Sequence, residues 1–219
     1  LIFLICFPLL VLSQNESILN KKELPNDVRW FTQSHEYISL CNQIYDIAYK
    51  SLQDKLHREK NSIIVMDLDE TVLDNSEYQI ELFFTNSTYN EKSWNNWVNK
   101  EEADLIPGAK KFILSYKKNK NARIIYISNR SAQTLKATKS NMKKLGLYFE
   151  DDIFLLRENK LDSKIIRRSE VLNGTNRMEL YGPQKIIAYF GDAMGDFPKN
   201  DEYHFSENKF IFPNPMYGK

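Results

Sequence analysis

The sequence predicts an α/β protein: a doubly wound parallel sheet with a small, mainly helical cap inserted after the first strand that carries reactive side chains. Three short apolar runs each stop on polar residues. They are Ile63-Ile64-Val65-Met66 before Asp67, Ile124-Ile125-Tyr126-Ile127 before Ser128, and Ile186-Ile187-Ala188-Tyr189-Phe190 before Gly191-Asp192. Such runs fit strands buried on both faces, as in a parallel sheet. Helical patterns lie between them, so strand and helix alternate. The polar clusters all fall at the strand ends, where folds of this kind bind their ligands.

Taken in order, Leu1 to Leu12 are almost wholly apolar and a polar stretch begins at Ser13-Gln14-Asn15-Glu16. Residues 1–13 read as a signal peptide with Gln14 as the mature N-terminus, because the run is too short to span a bilayer as a helix. With no initiator Met or basic leader, the front of the chain is expected to be truncated. Cys6 follows Ile5, where lipid attachment favours a small residue, so no lipid anchor is expected. The mature protein is thus expected to be exported, to the periplasm, the cell envelope or the medium. After cleavage Cys41 is the only cysteine, which excludes an intramolecular disulfide.

Residues 14–219 suit one domain. From Ser34 to about Arg58, Tyr37, Leu40, Cys41, Ile44, Ile47, Ala48, Leu52 and Leu56 recur at helical spacing, and Ser34 can cap the start. Further helices are predicted from Ala109 to Tyr116 after Pro107-Gly108, from Ala132 to Leu145 before Gly146, and from Ser163 to Leu172 near Gly174. Ile153-Phe154-Leu155-Leu156 is a candidate fourth strand. The excursion from about Asn75 to Leu105, with Tyr78, Phe83, Phe84, Tyr89, Trp94 and Trp97, is long for a crossover and reads as the cap.

Thirty basic side chains against twenty-nine acidic ones leave a net charge of +1. No global field points to a nucleic-acid polymer or an anionic membrane, so the expected partner is a small molecule. A homodimer is neither indicated nor excluded by sequence.

Asp67-Leu68-Asp69 puts two carboxylates at a strand end, an arrangement that is costly without a cation between them. Mg²⁺ suits such a site, since it takes oxygen ligands from one or two carboxylates, waters and a substrate phosphate. Gly191-Asp192-Ala193-Met194-Gly195-Asp196 brings two more acidic groups to another strand end. An isolated Asp-x-Asp is usually a solvated turn. Joined by a second acidic strand end, a hydroxyl strand end and a basic residue, it fits phosphoryl transfer, which needs a nucleophile, neutralised phosphoryl oxygens and a proton for the leaving group. Asp67 would attack, Asp69 would serve as acid and base, Ser128 and the amide of Asn129 would hold the phosphoryl oxygens, and Lys164 would add positive charge. Spacing alone does not single out Lys164, because Lys164-Ile165-Ile166-Arg167-Arg168 also reads as a solvated helix face.

At these residues the chain resembles the haloacid-dehalogenase (HAD) superfamily. The resemblance lies in Asp67-Leu68-Asp69-Glu70-Thr71, Ser128-Asn129-Arg130, Lys164 and Gly191-Asp192-x-x-x-Asp196. Val65 to Tyr78 is similar to the first signature of the class C acid phosphatases and 5′-nucleotidases. Trp30-x-x-x-Ser34-x-Glu36-Tyr37, Trp94-x-x-Trp97-Val98, Ile106-Pro107-Gly108-Ala109 and Pro213-Asn214-Pro215-Met216-Tyr217-Gly218 extend the likeness. It implies a HAD-like fold and an exported Mg²⁺-dependent acid phosphatase, with nucleoside 5′-monophosphates among its phosphomonoester substrates. It further implies an aspartyl-phosphate on Asp67, acid/base chemistry at Asp69, and phosphate held by Ser128 and Lys164. The metal would be held by the Asp67 side chain, the Asp69 carbonyl and Asp192, with Asp196 in support.

Trp94 and Tyr217 are candidates to stack on a nucleotide base. For Trp97 and Phe83 a place in the cap's own core is the better expectation, and for Trp94 the two readings weigh equally. The alternative to an enzyme is a catalytically weak storage-like or haem-binding relative of the same fold. Its expected mark is a lost nucleophile, and no Cys or His pattern favours haem.

Overall fold

The computed structural model describes residues 23–58, 62–119, 122–199 and 202–217. The expected signal peptide, residues 1–13, lies outside them, as does Gly218. Among the described residues no helix is long and apolar enough to cross a membrane.

The chain opens with helices α1 (Asn26–Gln33) and α2 (His35–Arg58), followed by strand β1 (Ser62–Met66). Next come β2 (Leu73–Asp74), α3 (Ser76–Phe84), α4 (Glu91–Lys100) and β3 (Asp104–Leu105), then α5 (Ala109–Tyr116) and β4 (Arg123–Ser131). It continues through α6 (Leu135–Lys144), β5 (Ile153–Arg157), α7 (Lys164–Asn173) and β6 (Lys185–Gly191) to β7 (Lys209–Ile211). The main sheet is five-stranded, ordered β5-β4-β1-β6-β7, and its pairings are parallel. This is the doubly wound α/β architecture with a HAD-like layout. β1 is central: the chain leaves it on one side for β4 and β5 and returns on the other for β6 and β7. The switch point therefore lies at the carboxyl end of β1, where Asp67 begins.

Side-chain alternation gives β1, β4, β5 and β6 two buried faces. Ile64, Met66, Ile124, Tyr126, Ala188 and Phe190 join one core with residues of α2 and α5. Ile63, Val65, Ile125, Ile127, Ile153, Leu155 and Tyr189 join a second core with Val171 of α7. This is why the strands read as unbroken apolar runs.

The predicted helices form with small differences. Ser34 caps α2 by accepting from Tyr37 N at 3.0 Å. The buried stripe of α2, however, is Tyr37, Cys41, Tyr45, Ala48 and Leu52, while Leu40 is exposed. Tyr45 takes the inward position because its ring packs on Phe112 and Phe212 and its hydroxyl donates to Thr71 O. The Ala132 to Leu145 segment starts as a 3-10 turn, Ala132–Thr134, before α6. Helix α7 is capped by Ser163, which accepts from Ile166 N, and ends on Gly174 at φ +63°. Four elements carried too little pattern to predict: α1, the two-residue strands β2 and β3, and the three-residue edge strand β7.

Between β1 and α5, the two-stranded β2–β3 ladder carries α3 and α4. Tyr78 of α3 stands edge-on to Trp94 of α4, with ring centroids 5.2 Å apart, and its hydroxyl shares a 2.7 Å hydrogen bond with Ser93. Trp97 is buried, as its placement in the cap core requires.

Candidate active site

Asp67 is the first residue after β1, and its backbone N–H donates to Phe190 O of β6 at 2.9 Å, which ties it to the strand end. Its carboxylate is buried. Lys164, first residue of α7, places Nζ 2.8 Å from Asp67 Oδ1 and also pairs with Asp196 Oδ1. Asp67, Asp192 and Asp196 can each turn one oxygen into a space where these atoms lie within 4.8 Å of one another. Burial pushes the Asp67 carboxyl well above the ordinary carboxylate range; Lys164 opposes the shift, and Asp196, Asp192 and Asp69 add to it. Asp192 is pushed up to about 6, again chiefly by burial, while a hydrogen bond from Asn214 holds it down. Burial works against the Lys164 ammonium, but Asp67 and Asp196 outweigh it and leave its affinity for the proton raised.

Three hard oxygen donors crowded together, with Asp67 and Asp192 pushed toward protonation, match what a small divalent cation needs. The Asp67, Asp192 and Asp196 side chains therefore fit Mg²⁺. The carboxylate of Asp69 lies outside this group and is engaged elsewhere.

Asp69 Oδ2 accepts from Ser128 Oγ at 3.2 Å, and its Oδ1 is gripped by Arg130 Nε at 2.8 Å and Arg130 Nη2 at 2.7 Å. Ser128 Oγ in turn accepts from Arg130 N at 3.1 Å. Ser128 lies within β4, which runs on to Ser131 with a shift of register against β5, and not in a turn beyond the strand. Asn129 is exposed, and its Oδ1 accepts from Arg167 Nη2 at 2.8 Å.

Five residues with contacts in the site had no role predicted from sequence. Arg167 was read as part of a solvated face, yet it is fully buried and donates to the carbonyls of Ser128 and Leu155. Its spacing was informative, since Lys164, Arg167 and Arg168 stand three and four residues apart on one face of α7. Arg168 is buried too and donates to Gly195 O at 2.8 Å. Asn214 donates to Asp192 Oδ2 at 2.8 Å and so orients one of the acidic trio. Arg130 and Asn75 sat inside recognised motifs but had no signal of their own. Asn75 donates through Nδ2 to Asp69 Oδ1 and Glu70 Oε1, and its Oδ1 accepts from Trp97 Nε1 and Arg130 Nη2. It also holds Glu70, which turns the chain at φ +53°.

Of the two aromatic candidates, Trp94 is half-buried with the Arg130 guanidinium 5.8 Å from its ring centre, which puts it beside Asp69. Tyr217 is 44% exposed, three residues on from Asn214 and therefore within about 10 Å of it by chain reach.

A family model described as "HAD superfamily, subfamily IIIB (Acid phosphatase)" matches residues 13–219. The chain is similar to the class C acid phosphatase of Bacillus anthracis, solved alone and with tungstate bound. Identity is 34%, the TM-score is 0.73, and the match covers 88% of this chain and 84% of that one. It is also 28% identical over 165 residues to the "Stem 31 kDa glycoprotein" of Glycine max, covering 72% of this chain and 59% of that protein. The "Stem 28 kDa glycoprotein" of the same plant is 25% identical over 197 residues, covering 85% and 71%. The chain thus spans about three fifths of the longer plant relative.

Proposed function

Because the chain belongs to subfamily IIIB of the HAD superfamily, the acid phosphatases, we propose that it hydrolyses small phosphomonoesters, nucleoside 5′-monophosphates among them, through an aspartyl-phosphate on Asp67. One observation carries this reading. The two carboxylates of Asp67-Leu68-Asp69 occupy opposite settings, Asp67 with Lys164, Asp192 and Asp196, and Asp69 with Ser128 and Arg130. Two like groups in unlike settings can divide the work of nucleophile and acid.

Asp67 attacks phosphorus as the bond from phosphorus to the leaving oxygen breaks, and Asp69 passes a proton to that oxygen. Asp69 then takes a proton from water as the water attacks the aspartyl-phosphate, which releases inorganic phosphate and restores Asp67. Ser128 and the amide of Asn129 orient the phosphoryl oxygens, and Lys164 balances their charge. Asp67, Asp192 and Asp196, with the Asp69 carbonyl, would hold Mg²⁺, which when bound would supply further charge neutralisation. Trp94 and Tyr217 offer faces for a base. Export follows the apolar run at residues 1–12, outside the described residues.

A storage-like or haem-binding relative without turnover would be expected to have lost the nucleophile or its cationic partner, and both residues are present. The test is hydrolysis of an aryl phosphate and several nucleoside 5′-monophosphates at acidic pH, with and without chelator, beside Asp67→Asn. Loss of turnover in the variant and in chelator is expected. Unchanged hydrolysis in either overturns the mechanism.

A further inference from the structure

Asp69 is held asymmetrically. Its Oδ1 takes both Arg130 contacts and the Asn75 amide at 3.0 Å, whereas among the described residues Oδ2 accepts from the Ser128 hydroxyl alone. Arg130 is 1% exposed, so this ion pair is shielded from water and its geometry is expensive to disturb. The guanidinium is itself fixed by Thr138 Oγ1, which accepts from Nη1, and by Asn75 Oδ1, which accepts from Nη2. The same Asn75 Oδ1 takes the indole N–H of Trp97 at 2.9 Å, and Trp97 belongs to α4 of the cap.

We infer that Arg130 and Asn75 are positioning residues that clamp Asp69 by Oδ1, leaving Oδ2 beside Ser128 as the oxygen that serves the leaving group, with Trp97 anchoring the clamp to the cap. This rests on the phosphatase reading. Oδ2 lies 3.2 Å from the hydroxyl assigned to the phosphate, so the clamp aims it at the scissile ester oxygen. Only a charged, forked donor can hold one carboxylate oxygen through two N–H groups while reaching two further acceptors. A Lys at this position keeps the charge and loses the fork.

The test compares kcat/KM for p-nitrophenyl phosphate, whose leaving group departs without a proton, with that for glycerol 2-phosphate, whose alkoxide needs one. kcat/KM reports the step that breaks this bond. Arg130→Lys is expected to lose roughly 100-fold on glycerol 2-phosphate and under about 10-fold on the aryl ester, the scale of a misaligned general acid. Inhibition by inorganic phosphate should stay near wild type. Equal losses on both esters, or lost phosphate inhibition, overturn the inference and leave the phosphatase reading intact. If Arg130→Lys does not fold, Trp97→Phe decides, since it removes one N–H and keeps a ring. It should show a smaller loss with the same preference for the alkyl ester, and an equal loss or none overturns the inference. A wild-type chain that hydrolyses neither ester overturns the phosphatase reading and this inference with it.

Discussion

Gly191 and Asp196 are packed so closely that a Cβ on the glycine would stand 2.3 Å from the Asp196 side chain. The contact arises because β6 ends at Gly191 and the chain curls back through a 3-10 turn, Met194–Asp196, whose last carboxylate accepts from Ala193 N at 3.0 Å. Gly191→Ala therefore has to push Asp196 off Lys164 and out of the acidic trio. Expected are a stability loss of about 1–3 kcal/mol and a weaker response to Mg²⁺. Thermal melts with and without Mg²⁺ check both, and a melt like wild type in both conditions refutes the prediction.

Lys164→Met removes the ammonium shared by Asp67 and Asp196 and leaves the carboxylates facing each other in a buried site. In chelator the variant should lose about 3–5 kcal/mol, the usual cost of stripping one partner from a buried pair. Mg²⁺ should narrow the gap to wild type, because without the competing ammonium the carboxylates bind the ion more tightly, and an ion bound only by the folded state stabilises it by mass action. Melting temperatures of both proteins that do not move with Mg²⁺ would mean that the trio does not hold the ion, and an identical gap would mean that Lys164 does not compete with it.

Trp94→Ala should raise KM for nucleoside 5′-monophosphates about 5- to 150-fold, corresponding to a stacked base worth about 1–3 kcal/mol. KM for an aliphatic phosphate should change little. Steady-state kinetics on the two substrate types decide, and equal effects would return Trp94 to a packing role against Tyr78.

Asp152 supplies a pH prediction away from the chemistry. Its Oδ1 accepts from Ile124 N at 2.9 Å and from Lys117 Nζ at 2.8 Å, yet burial dominates and lifts the carboxyl from its ordinary 3.8 to about 6. The folded state thus binds the proton more tightly than the unfolded chain. This contribution to stability is complete below 3.8 and is lost as pH rises through about 6, a fall of about 3 kcal/mol. Asp152→Asn should flatten that part of the stability–pH curve in urea melts, and a parallel curve would contradict the assignment.

Much of the molecule was legible along the chain because its signals are local. A strand buried on both faces must be apolar at every position, so β1, β4, β5 and β6 announced themselves and their polar ends marked the site. Asp67-Leu68-Asp69 and the Asp192–Asp196 pair could be read in the same way, since their spacing and residue types follow from geometry at a strand end. α1 and β7 escaped for the opposite reason. α1 is eight residues long with no side-chain cap at its start, and β7 is a three-residue edge that exists through its pairing with β6.

By itself, then, the sequence determined the alternation of strand and helix and the residue types gathered at the strand ends. Periodicity is a property of one element and needs no neighbour. The tertiary structure decided which charges are buried, because a charge can leave water only where several elements together supply its partners. Arg167 looked solvated and became a strut under Ser128. Arg130 drew its partners from the β1 loop, the cap entrance and α6. That convergence gives Asp69 surroundings unlike those of Asp67, and two carboxylates with a single residue between them do not show along the chain which partners each will meet.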